Sequence, residues 1–476
     1  MPSLSSITTS LQAVLTQSHV LEITEHNIAN ASTPGYRRQA ALLTAAVPSS
    51  TGGSEYVNSA GQKGGGVTIA KIQRFNLEFF DGRFRSVSAE TKNWEAQTDI
   101  LNQLEATLAE TSEDGLLPKL DQFWAGWQSL ASDPTNTSLR GVLLDDASAL
   151  ATAFNRRMAQ IDQLRSDQNL SVVSQVEKVN SLADEVASLN AEIAHVLSIG
   201  EQPNDLMDKR DLALDQLSEL TGSVSHEQKN GEMVVSIGGH VLVVGHEAIK
   251  LTTKPKAAPD SGMLDVYWAD NQVLVPPSGK LKGTLEVRDQ ILVDQIAGLD
   301  TLAAGVIQQV NAIHVTGYGP TTAVPVPPAL KTEDNFFTGS NARDIQVNNA
   351  LVLDPGKIAT ADAPGQAGNN AVALQIAGLK TFKGMLSGTA SLNEFYNAQV
   401  TDLAVTTQRA ATNTYQHGLV AKALSDQRES VAGVSLDEEA ANMAKAQKAY
   451  QAAARMLTTF DELLDLVINR MGLAGR

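Results

Sequence analysis

The chain has 476 residues, a formal net charge of −17 and no cysteine. The missing cysteine excludes disulfides, thiolate nucleophiles and cysteine-based metal sites. The acidic excess disfavours nucleic acid and anionic membranes as partners, because both attract mainly lysine and arginine. Hydrophobic residues make up 42% of the chain but aromatic residues only 5%, which favours long helices over a thick enzyme core. We therefore predict a mainly α-helical chain of about three domains.

The N-terminal residues 4–28 carry a heptad seam, in which apolar residues recur at alternating spacings of three and four. Ser18 and Glu25 interrupt the seam. A turn follows, where Pro34 fixes φ and Gly35 permits a positive φ. The pattern predicts an amphipathic helix that needs a partner for its seam residues Leu4, Ile7, Leu11, Val14, Leu21 and Ile28.

The start of the chain does not resemble a secretory signal, because the first lysine or arginine is Arg37. We predict that no window of about 18 residues is apolar enough to span a bilayer, because even the best candidate, residues 234–251, contains two histidines and a glutamate. We predict no membrane partner. If the protein leaves the cell, we expect a route that does not depend on a Sec signal.

Between the two ends the pattern is mostly helical. Residues 48–66 predict a loop rich in glycine and serine, residues 67–72 a short strand, and residues 76–110 and 116–220 long helices. Within the second helical stretch, Trp124 and Trp127 share a face with apolar residues. We interpret this pair as core.

The composition changes after Gly222 to short β-rich runs, such as Met233–Ile237, with glycine and proline between them. We predict an inserted β-rich domain over residues 222–282. Helix resumes over residues 283–314, a proline-rich loop covers 320–328, and helices return over 371–432.

The C-terminal segment repeats the pattern of the first helix. Ser435 precedes this helix and Glu438 follows three residues later, which predicts a capping box. Because ordinary domains leave their ends frayed, a seam at each extreme end indicates association. The seam residues here are Leu436, Met443, Gln447, Tyr450, Leu457, Leu464 and Ile468.

The motifs of common active sites are missing from the sequence, including HExxH, GxGxxG, the P-loop and GxSxG. His226 and His246 each precede a glutamate but lack the second histidine of a zinc motif. We interpret the many carboxylates as solvating charge on helix faces. The sequence therefore predicts no catalytic, cofactor-binding or metal site, no cofactor and no enzyme.

Residues 27–39, NIANASTPGYRRQ, resemble the N-terminal signature of the flagellar axial proteins, the superfamily of rod, hook and hook-associated proteins. VSLDEE at residues 434–439 resembles the matching C-terminal end. FWAGW at 123–127, PNDLMDKRD at 203–211 and NFF at 335–337 are similar to segments of the hook-associated protein 1 family. The likeness keeps its order along nearly the whole chain.

The resemblance implies a structural adaptor at the junction between the flagellar hook and filament. Its implied partners are further copies in a ring-like zone, the hook protein, and a second junction protein or the filament. An export chaperone would hold the C-terminal segment, and the protein would be secreted unfolded to an extracellular location. The resemblance adds to the assembly interface the signature residues Asn30, Pro34, Gly35, Tyr36, Arg37 and Gln39. It gives no role to Ser32 or Arg38.

Together these patterns predict a mainly α, elongated multi-domain axial protein with a small inserted β domain and paired, coiled-coil-like terminal helices. Residues 1–45 and 430–476 would form the innermost domain, and 46–221 with 283–429 a discontinuous helical domain. One alternative is another axial structural protein, a hook or distal rod protein, which would have a mainly β middle. The other is an enzyme that helical arms oligomerise.

Overall fold

The protein is described by a computed structural model, which covers residues 4–47, 64–108, 114–258, 260, 262–320, 332 and 334–466. Most of the predicted loops at 48–66 and 320–328 therefore lie outside the described residues. Of the described residues, 65% are helical. The described helices are α1 (Leu4–Ala29), α2 (Glu78–Leu108), α3 (Leu116–Ser132), α4 (Thr137–Ser198), α5 (Asn204–Thr221), α6 (Gly279–Glu286), α7 (Leu292–His314), α8 (Asn349–Leu353), α9 (Ala371–Gly378), α10 (Leu392–Ala432) and α11 (Leu436–Asp465).

The strands are short and pair antiparallel in small sheets. The sheets are β1–β2, β3–β4–β5–β6, β7–β8 and β9–β10. Their strands are β1 (Gln39–Ala45), β2 (Val67–Arg74), β3 (Val224–Glu227), β4 (Met233–Ile237), β5 (His240–Val244), β6 (Glu247–Ala248), β7 (Thr252–Pro255), β8 (Leu264–Tyr267), β9 (Phe337–Thr338) and β10 (Gln346–Val347). The predicted mainly α class with a small β content is confirmed.

The chain divides into two compact units, each built from discontinuous segments. Unit one comprises Met1–Ala89, Lys178–Leu251 and His417–Arg476, and unit two comprises Glu90–Glu177 and Thr252–Gln416. The β-rich region is shared between them, because β3 to β6 belong to unit one whereas β7 and β8 belong to unit two. The sequence predicts a different division, into three domains that correspond to layers of an assembly. That division stays a prediction.

Unit one contains the β1–β2 ribbon and the four-stranded sheet. The ribbon pairs Gln39 with Arg74 and Ala45 with Val67, with an irregularity between Leu42 and Leu43. Asn190 of α4 donates its amide hydrogens to the carbonyls of Met233 and Gly245, both at 2.8 Å. These bonds tie the ends of β4 and β5 to α4.

Unit two has an aromatic core. Trp124 and Trp127 are buried, as predicted, and Phe123 contacts Phe336 and Phe337 with ring centroids 5.8 and 5.4 Å apart. Asn311 of α7 accepts from both backbone amides of that phenylalanine pair at 2.9 Å. The side chain of Asn311 therefore holds the NFF segment, residues 335–337, against α3.

The segment Gly279–His314 is long and apolar enough to cross a membrane by length and composition alone. Our sequence-based statement that no such window exists is therefore wrong. The segment runs through α6, a π-helical turn at Val287–Ile291 and α7. Its apolar side chains include Leu292, Leu302 and Val306, which are fully buried in the core of unit two. Core packing thus accounts for these buried side chains.

His314 is buried in unit two and held in its neutral form. Its Nδ1 lies 2.9 Å from the carbonyl oxygen of Asp334, and its Nε2 accepts from the amide of Ala359 at 3.1 Å. Only a neutral imidazole can accept at Nε2. Burial lowers the pKa of His314 from 6.5 to about 4.

Acid should therefore destabilise unit two through this histidine. Below about pH 6.5 His314 binds a proton in the unfolded chain, whereas in the folded chain it binds one only near pH 4. The free energy of unfolding therefore falls as the pH falls through that window. We expect a loss of about 2 kcal/mol between pH 7 and pH 5 from this group. In His314→Gln, whose amide can make both hydrogen bonds, this part of the pH dependence should vanish. Denaturant titrations of both chains at the two pH values measure it, and parallel losses would contradict it.

Candidate assembly interface

The terminal helices α1 and α11 pack against each other within unit one. The end of α1 meets the start of α11, where Asn27 Nδ2 donates to Glu439 Oε2 at 2.9 Å, so the two helices run in opposite directions. The buried residues of both helices are small or polar, and on α1 they also face the β1–β2 ribbon, since Thr16 donates to the Val67 carbonyl: Ser10, Thr16, Thr24 and Asn27 on α1, and Glu439, Ala446 and Ala453 on α11. On α11 these buried positions alternate with the predicted seam residues Met443, Tyr450 and Leu457 at spacings of four and three, so part of the predicted seam borders this contact.

The seam residues of α1 remain partly or largely accessible. Leu11 is 46% exposed, and Ile7, Val14, Leu21 and Ile28 are half-buried. Leu4 lies in α1, but its side chain is outside the described residues. The role of this face in assembly stays a prediction.

The seam residues of α11 show the same pattern. Leu436 is 57% exposed and Tyr450 38%, Gln447 is exposed, and Met443, Leu457 and Leu464 are half-buried. Ile468 lies outside the described residues. The buried positions 439, 446 and 453 are spaced by seven and precede the second row of the predicted seam by one residue. A hydrophobicity pattern missed them because a glutamate occupies the first.

Asn27 joins the two ends of the signature segment, residues 27–39. Its amide donates to the Gln39 carbonyl at 2.8 Å, and its Oδ1 accepts from the Gln39 amide at 3.0 Å and from the Tyr36 hydroxyl at 2.7 Å. Burial, with the nearby carboxylates of Asp205, Asp208 and Glu439, raises the pKa of Tyr36 above its usual value. Tyr36 therefore stays a protonated donor.

The turn between α1 and β1 needs its glycine. Gly35 has φ +79°, and a Cβ there would lie 3.2 Å from Leu212 Cβ. Asn30 donates to the His26 carbonyl and accepts from the Thr33 hydroxyl, while Pro34 is exposed. The turn therefore returns the chain sharply from α1 into β1, against α5.

Arg38, to which the resemblance gave no role, connects this segment to α11. Its Nε donates to Glu439 and its Nη1 to Glu438, both at 2.9 Å. Ser435 caps α11 by accepting from the amide of Glu438 at 3.4 Å, which confirms that half of the predicted capping box. The carboxylate of Glu438 is paired with Arg38, so the N-terminal signature and the C-terminal motif form one polar network.

The two adjacent glutamates should differ sharply in their contribution to stability. The side chain of Glu439 is 3% exposed, whereas that of Glu438 is 63% exposed. Glu439→Gln leaves Arg38 partly uncompensated and should cost about 2–3 kcal/mol. Glu438→Gln should cost less than about 0.5 kcal/mol. Urea unfolding followed by far-UV circular dichroism compares them, and equal costs would contradict the network.

A ring of alternating charges lies next to the signature segment. Six side chains close it through ion pairs of 2.6–3.3 Å, in the order Arg37, Asp211, Arg85, Asp215, Arg428 and Asp81. We call this set the charge ring. Arg74 of β2 extends it by pairing with Asp208 at 2.8 Å and with Asp211 at 3.0 Å. The eight charges of this set sum to zero.

Burial makes these pairs depend on one another. Burial alone would raise the pKa of Asp211, but the guanidinium groups of Arg74, Arg37 and Arg85 hold that pKa below its usual range. Removal of one partner from a buried pair leaves an uncompensated charge, which costs several kcal/mol. The charge ring therefore behaves as one unit.

The carboxylates of α5 were misassigned from the sequence as solvating charge. Asp208, Asp211 and Asp215 are spaced by three and four, so they lie on one face of α5. All three face arginines of other segments. The only signal in the sequence was the PNDLMDKRD segment of the resemblance, in which Asp205 also binds Gln39 at 2.8 Å.

Among the residues that the structure describes, no group of three or more histidines, aspartates or glutamates could hold a metal ion. The charged side chains here pair with one another. The arrangement can therefore hold chain segments together and present apolar helix faces, which are the properties of an assembly module.

The comparisons with known proteins agree with this description. Residues 101–323 match the family model described as flagellar hook-associated protein FlgK helical domain, and residues 427–471 match flagellar basal body rod FlgEFG protein C-terminal. The flagellar hook-associated protein 1 of Bacillus subtilis (strain 168) is 30% identical, with 98% of both chains covered. The chain belongs to the flagellar hook-associated protein 1 family.

Membership in the hook-associated protein 1 family confirms the predicted structural, non-enzymatic role at the hook–filament junction. The protein of the same name from Escherichia coli (strain K12) is 24% identical over 94% of this chain and 96% of its own. The fold is similar to the flagellar hook junction protein FlgK from Burkholderia pseudomallei, with a TM-score of 0.63 and 16% identity. That match covers 74% of this chain and all of the other. The match to the helical-domain model disfavours a hook or distal rod protein.

Proposed function

We propose that copies of this chain join hook and filament by packing the seam faces of α1 and α11 side by side. The observation that carries this proposal is the exposure of the seam residues Leu11, Leu436 and Tyr450 in the single chain. Covering a half-exposed leucine contributes about 1 kcal/mol. Summed over several seam residues and many neighbouring copies, this free energy is enough to drive a cooperative assembly.

We further propose a layered arrangement. The terminal segments 1–45 and 430–476 would form the innermost layer, the helical segments 46–221 and 283–429 the next, and residues 222–282 an outward β-rich part. The partners would be the hook protein on one side and a second junction protein or the filament on the other.

Delivery would follow the flagellar export route without a Sec signal. The absence of cysteine suits a chain that passes a channel unfolded, because no disulfide can trap it. An export chaperone on the C-terminal segment would cover the apolar seam of α11 before assembly, since Leu436 and Met456 are each more than half exposed.

Localisation tests the function directly. An epitope-tagged chain should label a single zone at the base of isolated filaments, between hook and filament. Deletion of the gene should leave hooks without attached filaments, and the tagged chain should restore them. Label along the whole filament, or filaments that attach without the protein, would overturn the proposal.

A further inference from the structure

The terminal arm, which we define as α1, the turn between α1 and β1, the β1–β2 ribbon and α11, makes polar contacts with α5. Arg37 donates its backbone amide to Asp208 at 3.0 Å and pairs with Asp211 at 3.3 Å. Arg74, at the end of β2, pairs with the same two carboxylates. Gln39 exchanges hydrogen bonds with Asn204 and Asp205.

The space beside this attachment is open. A cavity of about 560 Å³ lies between the turn after α1 and helices α2, α5 and α10, lined by Pro34, Phe84 and Leu212 among others. The base of the arm is therefore not packed against a dense apolar core on this side.

The ion pairs at the base of the arm constrain direction better than isolated ones. The charge ring takes Arg37 from the arm, Asp81 and Arg85 from α2, Asp211 and Asp215 from α5, and Arg428 from α10. Each guanidinium contacts carboxylates of two residues, so each has two fixed neighbours. A planar guanidinium held between two acceptors also fixes orientation.

We propose that the charge ring and the Arg74–Asp208 pair position the terminal arm, setting the angle at which it leaves α5 and so the angle at which neighbouring copies can pack. This proposal rests on the proposed assembly through the terminal helices. The residues concerned are positioning residues. They act through the arm and do not touch the neighbouring copy.

The absence of cysteine allows a clean test in the full-length chain. Spin labels on Glu22→Cys in α1 and Glu192→Cys in α4, both exposed, report the distance between the arm and the rest of unit one. The test variant is Arg37→Gln with Arg74→Gln, which removes the ion pairs that join the arm to the charge ring and to Asp208 and keeps hydrogen-bonding groups. The control is Arg210→Gln, a buried arginine of α5 that bonds Asn190 and the Gly231 carbonyl.

We expect the distance distribution of the monomer to broaden by about twofold in the double variant, because the arm samples several directions once its anchor is lost. Arg210→Gln should lower the melting temperature and leave the distribution narrow. An unchanged distribution in the double variant, or equal broadening in both, would overturn the proposal.

Assembly supplies the second readout. The double variant should incorporate poorly at the base of filaments, whereas Arg210→Gln should incorporate normally. Normal incorporation of a variant with a broadened distribution would overturn the link between arm angle and packing. Failure of the proposed function would show differently, because the chain with native residues 37 and 74 would then be missing from the junction too.

Discussion

Deletion of residues 436–476 should abolish incorporation at the hook–filament junction while unit two keeps its cooperative unfolding. The deletion removes α11, and with it the exposed seam and the carboxylate of Glu439 that accepts from Asn27 and Arg38. Unit two contains no residue of the deleted segment, so its core should persist.

The four tryptophans make this prediction measurable. Trp94, Trp124, Trp127 and Trp268 all belong to unit two, so tryptophan fluorescence reports that unit alone. The truncated and full-length chains should show the same fluorescence transition, and only the full-length chain should restore attached filaments. A truncated chain that still supports filaments would contradict the role of α11. Loss of the fluorescence transition would contradict the division into two units.

Leu11→Asp should block assembly without unfolding the monomer. Leu11 is 46% exposed, so a charge there stays solvated in the single chain and should change the unfolding free energy by no more than about 0.5 kcal/mol. Packing of the α1 seam against a neighbour would desolvate that charge, at a cost of about 3 kcal/mol or more per interface. We expect incorporation in a filament-attachment assay to be lost.

Leu170→Asp is the matched control. Leu170 lies on α4, is 66% exposed, and receives the same change of charge and size. It lies in unit two, outside both terminal helices, so incorporation should be normal. Normal incorporation of Leu11→Asp, or equal loss in both variants, would argue against the α1 seam as the interface.

The helices and much of the core could be predicted from periodicity, because aliphatic residues at helical spacing bury wherever a partner exists. The seam from Val172 to Ile193 is one example, and its apolar residues are buried along α4. Position along the chain also indicated the terminal helices. The sequence could not show which face of each helix is used within the chain, since alanine, serine and threonine give no hydrophobic signal.

The polar parts of the candidate interface were the least predictable. A buried aspartate such as Asp211 looks the same in a sequence as an exposed one. Only the three-dimensional arrangement of arginines from distant segments distinguishes the two. Arg38 and Glu439 were missed for the same reason. The resemblance marked their surroundings without stating what the side chains do.

The contact between Asn27 and Glu439 joins residues 412 positions apart, and the contact between Arg38 and Glu439 spans 401. Loops of that length close late, because nearly the whole chain must be present before its ends can meet. A subunit delivered as an extended chain cannot complete its arm until residue 439 has arrived. A chain cut short anywhere before α11 therefore lacks Glu439, the acceptor that both Asn27 and Arg38 contact.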